Sequence, residues 1–162
     1  MGIVVKNRET NKIIFFEKGS DTAMKKIVRP SQSTTVDEAC ENLAIDGLRT
    51  LVIAQKFLSK TYFDGWFKRY QNAKASLNNR DALVAEVVRE LEQGLELLGI
   101  TGVEDKLQDE VALTIESLRS AGIQVWMLTG DKVETATCIA ISAGFKDRKQ
   151  QIFTIRDIEN MQ

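Results

Sequence analysis

The residues of this chain best suited to chemistry are Thr129, Gly130 and Asp131, within Met127-Leu128-Thr129-Gly130-Asp131-Lys132. The apolar run Ile123-Gln124-Val125-Trp126-Met127-Leu128 precedes them and reads as a buried strand of a parallel sheet. A helical pattern follows through Ala143. In open α/β sheets, ligands bind beyond the carboxyl ends of the strands, and Thr129 falls at such an end. Gly130 lets the backbone approach a ligand with no Cβ in the way. The helix start offers free N–H groups and a positive dipole end, which suits a phosphoryl group. In this reading the Thr129 hydroxyl donates to a phosphoryl oxygen, and Asp131 orients that group or holds water around Mg²⁺. The plain alternative is a turn in which Asp131 caps the next helix. Three further candidates are weaker. Lys18, beside Gly19 in Lys18-Gly19-Ser20-Asp21, suits a phosphate or a base edge, and equally a solvated turn. Arg49 can fork onto a phosphate or serve as a surface charge. Asp105 can accept from a ribose hydroxyl, or the cluster around it can favour the start of the next helix.

Two halves must position these groups. The first opens with a hairpin pattern, Ile3-Val4-Val5-Lys6 and Ile13-Ile14-Phe15-Phe16 around the polar turn Asn7 to Asn11. A loop at Lys18 to Asp21 leads into a short helix through about Val28, and a second helix runs from about Thr35 to a cap at Gly47. A strand at Leu48 to Ala54 follows, then helices from Ser59 to Lys74 and from Asp81 to Gln93. Tyr62, Phe63, Trp66, Phe67 and Tyr70 share a helical spacing that reads as core packing rather than as a base-stacking platform. The second half alternates strand and helix: Leu95 to Thr101, Asp109 to Ala121 with Gly122 as cap, Ile123 to Leu128, the helix to Ala143, and a short strand at Ile152-Phe153-Thr154. That alternation predicts a parallel α/β sheet with right-handed crossovers.

Composition narrows the chemistry. The 162 residues carry 22 Lys+Arg against 23 Asp+Glu, a balance that argues against binding nucleic acid by phosphate neutralisation. With no histidine, an imidazole base, a histidine triad and a His-ligated metal are all excluded. Cys40 and Cys138 form no CxxC and read as reduced thiols of a cytosolic compartment. The longest apolar runs fall far short of the roughly 20 residues that span a bilayer, and the N-terminus has no signal-peptide core.

Four ordered motifs together carry more than each alone: Lys18-Gly19-Ser20-Asp21, Asp46 to Leu51 (DGLRTL), Leu97 to Gln108 (LLGITGVEDKLQ) and Met127 to Ala136 (MLTGDKVETA). Their order resembles a P-type ATPase of type IV, the phospholipid-translocating ATPases or flippases. GVEDKLQ points to that type, because ion-pumping branches tend to carry Asp-Pro-Pro-Arg where this chain has Asp105-Lys106-Leu107-Gln108. The phrases ELLGITGVED and WMLTGDKVETATCIA look most like the Neo1-like branch of endosomes and Golgi. The resemblance runs from about residue 2 to about 145. It implies an α/β fold in two parts: residues 1–94 as part of a nucleotide-binding domain, an antiparallel sheet with helices, and residues 95–162 as part of a parallel, haloacid-dehalogenase-like phosphorylation domain. It also implies ATP as the ligand of Lys18, Gly19, Arg49 and Asp105. Thr129, Gly130 and Asp131 would position the γ-phosphate for in-line attack. Ser20 stands where the family usually has alanine.

The same comparison shows what is missing. The phosphorylated aspartate of a DKTGT sequence, the upstream acidic residue, the phenylalanine that stacks on adenine, the GDGxND sequence that binds Mg²⁺ and the transmembrane helices do not occur in this chain. It reads as an excised cytosolic piece that keeps positioning groups and loses the nucleophile, since phosphoryl transfer rests on positioning plus charge neutralisation. Weak ATP binding without hydrolysis is expected, because losing the stacked aromatic removes about 1–3 kcal/mol. Phospholipid and membrane enter as partners only through the missing parts. An unpaired sheet edge in the second half offers a route to a dimer that belongs to the excised piece alone. Two other readings stand beside this one. A soluble haloacid-dehalogenase-type phosphatase would need an Asp-x-Asp motif that the chain lacks, and a non-catalytic nucleotide-binding or interaction module would bind without turnover.

Overall fold

A computed structural model describes residues 1–104, 106–146 and 150–155. The chain divides into two compact units, Met1–Glu41 with Thr50–Gly102, and Asn42–Arg49 with Val103–Gln162.

The first unit is built on a four-stranded sheet in the order β1-β2-β3-β4. β1 (Gly2–Lys6) and β2 (Ile13–Gly19) form the expected antiparallel hairpin, with Ile3 opposite Phe16 and Lys6 opposite Ile13. The connecting turn holds because the Asn7 side-chain oxygen accepts from the N–H groups of Glu9 and Thr10, both at 2.9 Å. β3 (Arg49–Leu58) pairs antiparallel with the other side of β2, and β4 (Glu96–Val103) flanks β3. Period-two alternation sends Ile13, Phe15 and Glu17 inward, all less than a tenth exposed. Helix α1 is a single turn, Asp21–Met24, with Ser20 as its N-cap. Helix α2 (Ser33–Ile45) buries Val36 and Cys40 completely against this sheet's core cluster. Helix α3 (Lys60–Ala75) starts where the Ser59 hydroxyl accepts the Tyr62 N–H at 3.2 Å. Of the five aromatic residues read as core packing, Trp66 is buried and Phe63 and Tyr70 pack against the core, whereas Tyr62 and Phe67 lie on the exposed side of the helix. Trp66 is buried, stacks on Tyr70 at 5.2 Å and donates its indole N–H to the Val87 carbonyl of α4 (Arg80–Arg89) at 2.9 Å. Leu91 and Leu95, each at most 1% exposed, close the core beneath the turn that follows α4, and burial of such a side chain contributes about 1.5–3 kcal/mol.

The second unit gathers the end of α2, the Gly47 turn and the start of β3 with two later helices, α5 (Val111–Ser120) and α6 (Val133–Ser142). Gly47 has φ 79°, and a Cβ added there would lie 3.0 Å from the Cys138 Cβ of α6, so both conformation and packing require glycine. Helix α6 is tied to this segment by Thr135, whose hydroxyl donates to the Leu48 carbonyl at 3.4 Å, and by Cys138, whose thiol donates to the Ile45 carbonyl at 3.2 Å. Arg119 of α5 donates to the carbonyls of Gly144 (3.2 Å) and Phe145 (2.7 Å) beyond the end of α6. A guanidinium there complements the negative end of the helix dipole.

The α/β class holds, while several boundaries move. Lys18 and Gly19 lie in β2, opposite Ile53 and Val52, rather than in a loop. The reason is that Val52 and Ile53 of β3 supply ladder partners for both residues. The apolar run at Leu95 to Thr101 is not a strand buried on both faces of a parallel sheet. It becomes β4 at the end of the first unit's sheet, with Leu98 half exposed. Ile123 to Leu128 and Ile152 to Thr154 form no strand. A strand exists only with a ladder partner, and among the described residues this unit supplies none. Trp126 and Leu128 are left 80% and 94% exposed.

Candidate functional site

Thr129 sits in the segment entering α6, and its hydroxyl donates to the Asp131 Oδ2 at 2.8 Å while accepting the Asp131 backbone N–H at 3.1 Å. This reciprocal pair folds the Thr129-Gly130-Asp131 turn on itself. Gly130 contributes openness rather than a special backbone angle: it is not among the positive-φ glycines, and a Cβ there would meet nothing within 4 Å. Arg49, carried by the segment after the Gly47 turn, donates from Nη2 to the same Asp131 Oδ2 at 3.1 Å. The structure therefore brings Arg49, Thr129 and Asp131 onto one oxygen. Hydrogen bonding from Thr129 and then the Arg49 guanidinium hold the Asp131 carboxyl below its ordinary range, against a small opposing effect of burial. Asp131 does not cap α6. The N-cap is Lys132, which makes no side-chain cap bond.

Lys18 and Gly19 belong to the first unit. The Lys18 side chain is exposed, and its backbone is fixed by exchange with Met1: its N–H donates to the Met1 carbonyl at 3.0 Å and its carbonyl accepts from the Met1 ammonium at 2.8 Å. An apolar cavity of about 390 Å³ opens beside it, lined by Gly2, Ile3, Phe16, Glu17, Lys18 and Ile53. Ile3, Phe16 and Lys18 alternate with the inward residues and so share the sheet face away from the core, with Ile53 opposite Lys18. Gly19 earns its place by packing, since a Cβ there would lie 3.2 Å from the Met24 sulfur. Asp105 lies outside the described residues.

The first unit thus offers an exposed ammonium beside an apolar cavity, and the second a guanidinium holding one oxyanion. Among the described residues no three His, Cys, Asp or Glu side chains come together as a metal would require. Sequence reasoning missed Glu17, a carboxyl buried to 7% exposure beside Lys18. The signal was there in Ile13-Ile14-Phe15-Phe16-Glu17, whose alternation places the acid in register with Ile13 and Phe15.

Comparison with known proteins agrees with the motifs. The chain is 48% identical over 160 residues, 99% of its length, to the probable phospholipid-transporting ATPase IIB of Danio rerio. It is 48% identical over 159 residues to the phospholipid-transporting ATPase NEO1 of Saccharomyces cerevisiae, and 44% identical over 146 residues, 90% of its length, to the phospholipid-transporting ATPase 2 of Arabidopsis thaliana. It spans about 14% of the length of the first two and 13% of the third. The haloacid dehalogenase-like hydrolase profile matches residues 16–161. With nearly the whole chain inside that match, and the Thr-Gly-Asp turn within it, the chain belongs to the haloacid dehalogenase-like hydrolases.

Proposed function

We propose that this chain is the nucleotide-gripping stretch of a phospholipid-transporting P-type ATPase of endomembranes. The complete protein would hydrolyse ATP through an aspartyl-phosphate and couple that to moving phospholipid between leaflets. The observation that carries this reading is the convergence of Arg49 and Thr129 on a single carboxylate oxygen of Asp131, supported by the names of the long relatives. An arginine already seated on an oxyanion is pre-organised for a phosphate oxygen of the same charge. The bound nucleotide would supply the phosphoryl group. Lys18 would neutralise negative charge at the edge of its apolar cavity, with Gly19 keeping the strand end close-packed. Arg49 would take a phosphate oxygen, and Asp105 would accept from the ribose. Thr129 would turn its hydroxyl from Asp131 to donate to the transferred group across the open turn at Gly130, and Asp131 would orient Arg49. Without the aromatic that stacks on adenine, binding is weak, and without a DKTGT aspartate in the chain no acceptor for the phosphoryl group is on hand, so turnover is absent.

The test is an NMR titration of the chain with a non-hydrolysable ATP analogue. The expected result is millimolar binding with shifts at Lys18, Arg49 and Thr129, weakened about tenfold by Arg49→Ala, as removal of a charge-assisted phosphate contact predicts. Shifts confined to other surfaces, or Mg²⁺-dependent phosphate release lost in Asp131→Ala, would overturn the reading.

A further inference from the structure

We propose that the turn end of the first unit's sheet is a docking site for an acidic peptide. A peptide carboxylate is held by Lys12 and Lys60, and an apolar peptide side chain lies on Phe57. A cavity of about 300 Å³ opens there, lined by Asn11, Lys12, Ile13, Phe57, Leu58 and Lys60, all within the first unit. The alternation that buries Ile13 and Leu58 turns their neighbours Ile14 and Phe57 to the face away from the core. Ile14 and Phe57 stand opposite one another, and Val5 of β1 stands opposite Ile14 on its other side. An apolar row therefore crosses three strands on the outer face. An antiparallel sheet with one face in water carries polar residues at such positions. Phe57, at the β3 end of the row, is 54% exposed. One exposed aromatic means little by itself, so its neighbours decide.

Those neighbours are cations. The Lys12 ammonium lies over the Phe57 ring, 5.7 Å from its centroid. Lys60 opens α3, two residues beyond Leu58. Among the described residues neither ammonium makes an ion pair or a hydrogen bond. The acids nearest in sequence, Glu9 in the turn and Asp64 one helical turn after Lys60, pair with neither. Both lysines stand on fixed backbone. The Asn7 N–H donates to the Lys12 carbonyl at 2.9 Å, and Ser59 caps α3 beside Lys60. Each ammonium has three donors, and an anion shared by the two accepts charge-assisted bonds while relieving their mutual repulsion. Size selects the occupant. Ligand clefts run from about 300 to 1,000 Å³, and this one lies at the small end, right for one or two side chains of a peptide. Two lysines are too few for nucleic acid, whose binding rests on neutralising many phosphates. A recessed cavity is also the wrong shape for a membrane surface, which takes apolar side chains that project.

The test is an NMR titration of the labelled chain with a synthetic peptide of alternating Asp and Phe, beside a Lys-Phe peptide of the same length. The acidic peptide should shift Lys12, Phe57 and Lys60, and the basic one should not. Binding should weaken severalfold between about 0.05 and 0.5 M salt. Lys12→Gln and Lys60→Gln should each weaken it by up to about fivefold, and Phe57→Ser by about tenfold. Both lysines are exposed, so their variants keep the test valid should Phe57→Ser disturb the sheet. Shifts confined to other surfaces, equal binding by the basic peptide, or unchanged affinity in both lysine variants would overturn the proposal. Three other occupants would overturn it as well. Inorganic phosphate moving the same resonances at the same concentration would mark a plain anion site. Phosphatidylserine vesicles binding through Phe57 where the peptide does not would mark a membrane contact. The same shifts on concentrating the chain alone would mark a second copy. The site lies at the opposite end of β2 from Lys18, about 20 Å away at about 3.3 Å per residue, so its outcome is separate from that of the ATP titration.

Discussion

Asp131 is where the chain spends most of its polar chemistry in the second unit, with one oxygen taking both the Thr129 hydroxyl and the Arg49 guanidinium. Its lowered carboxyl keeps that pair ionised through neutral and mildly acid solution. The contribution disappears as pH falls through the folded-state value, below the ordinary 3.8. A carboxyl carbon-13 titration should place the Asp131 midpoint below that of the exposed aspartates, and Thr129→Val should raise it. A midpoint unchanged by Thr129→Val would show the hydroxyl to be a bystander. The effect on stability is small, because Arg49 is half exposed and exposed pairs contribute at most about 1 kcal/mol. The local half of this site was legible in the sequence. Thr129 and Asp131 are two residues apart, and a Thr-x-Asp turn is written in the order of residues. The other half was not. Arg49 stands 82 residues away from Asp131, and no local pattern tells a guanidinium which distant carboxylate it will meet.

Among the elements, the strands whose ladder partner lies among the described residues were read, and those without one were not. The hairpin of β1 and β2 formed as alternation and a polar turn dictated, and α3 began at the serine that caps it. A strand is a different matter, because its ladder is supplied by other chain. Ile123 to Leu128 has the composition of a buried strand and makes none. Its Trp126 and Leu128 side chains are therefore displayed to solvent. Exposed apolar edges of this kind recruit other copies. Sedimentation velocity should show weak, concentration-dependent self-association, relieved by Trp126→Lys with Leu128→Lys. Sedimentation as a monomer at all concentrations would mean that this stretch is innocuous.

Across the whole molecule, burial is shared unequally. The core cluster, from Ile13 and Phe15 through Val36, Val52 and Trp66 to Leu95, lies entirely within the first unit. Among the described residues, the second unit's buried apolar residues are Ala44, Ile115 and Ala143. Hydrophobic burial dominates stability, so amide hydrogen exchange should be slow in β2, β3 and α3 and markedly faster in α5 and α6. Equal protection in both would mean that interactions other than apolar burial hold the second unit. The two tryptophans of the chain fall on opposite sides of this inequality: Trp66 is sealed in the first unit, and Trp126 is bathed in water in the second. Each unit thus carries its own intrinsic fluorophore, one in an oily setting and one in an aqueous setting. A single emission spectrum of the unlabelled chain contains a blue-shifted and a red-shifted band, and the order in which they change reports which unit gives way first.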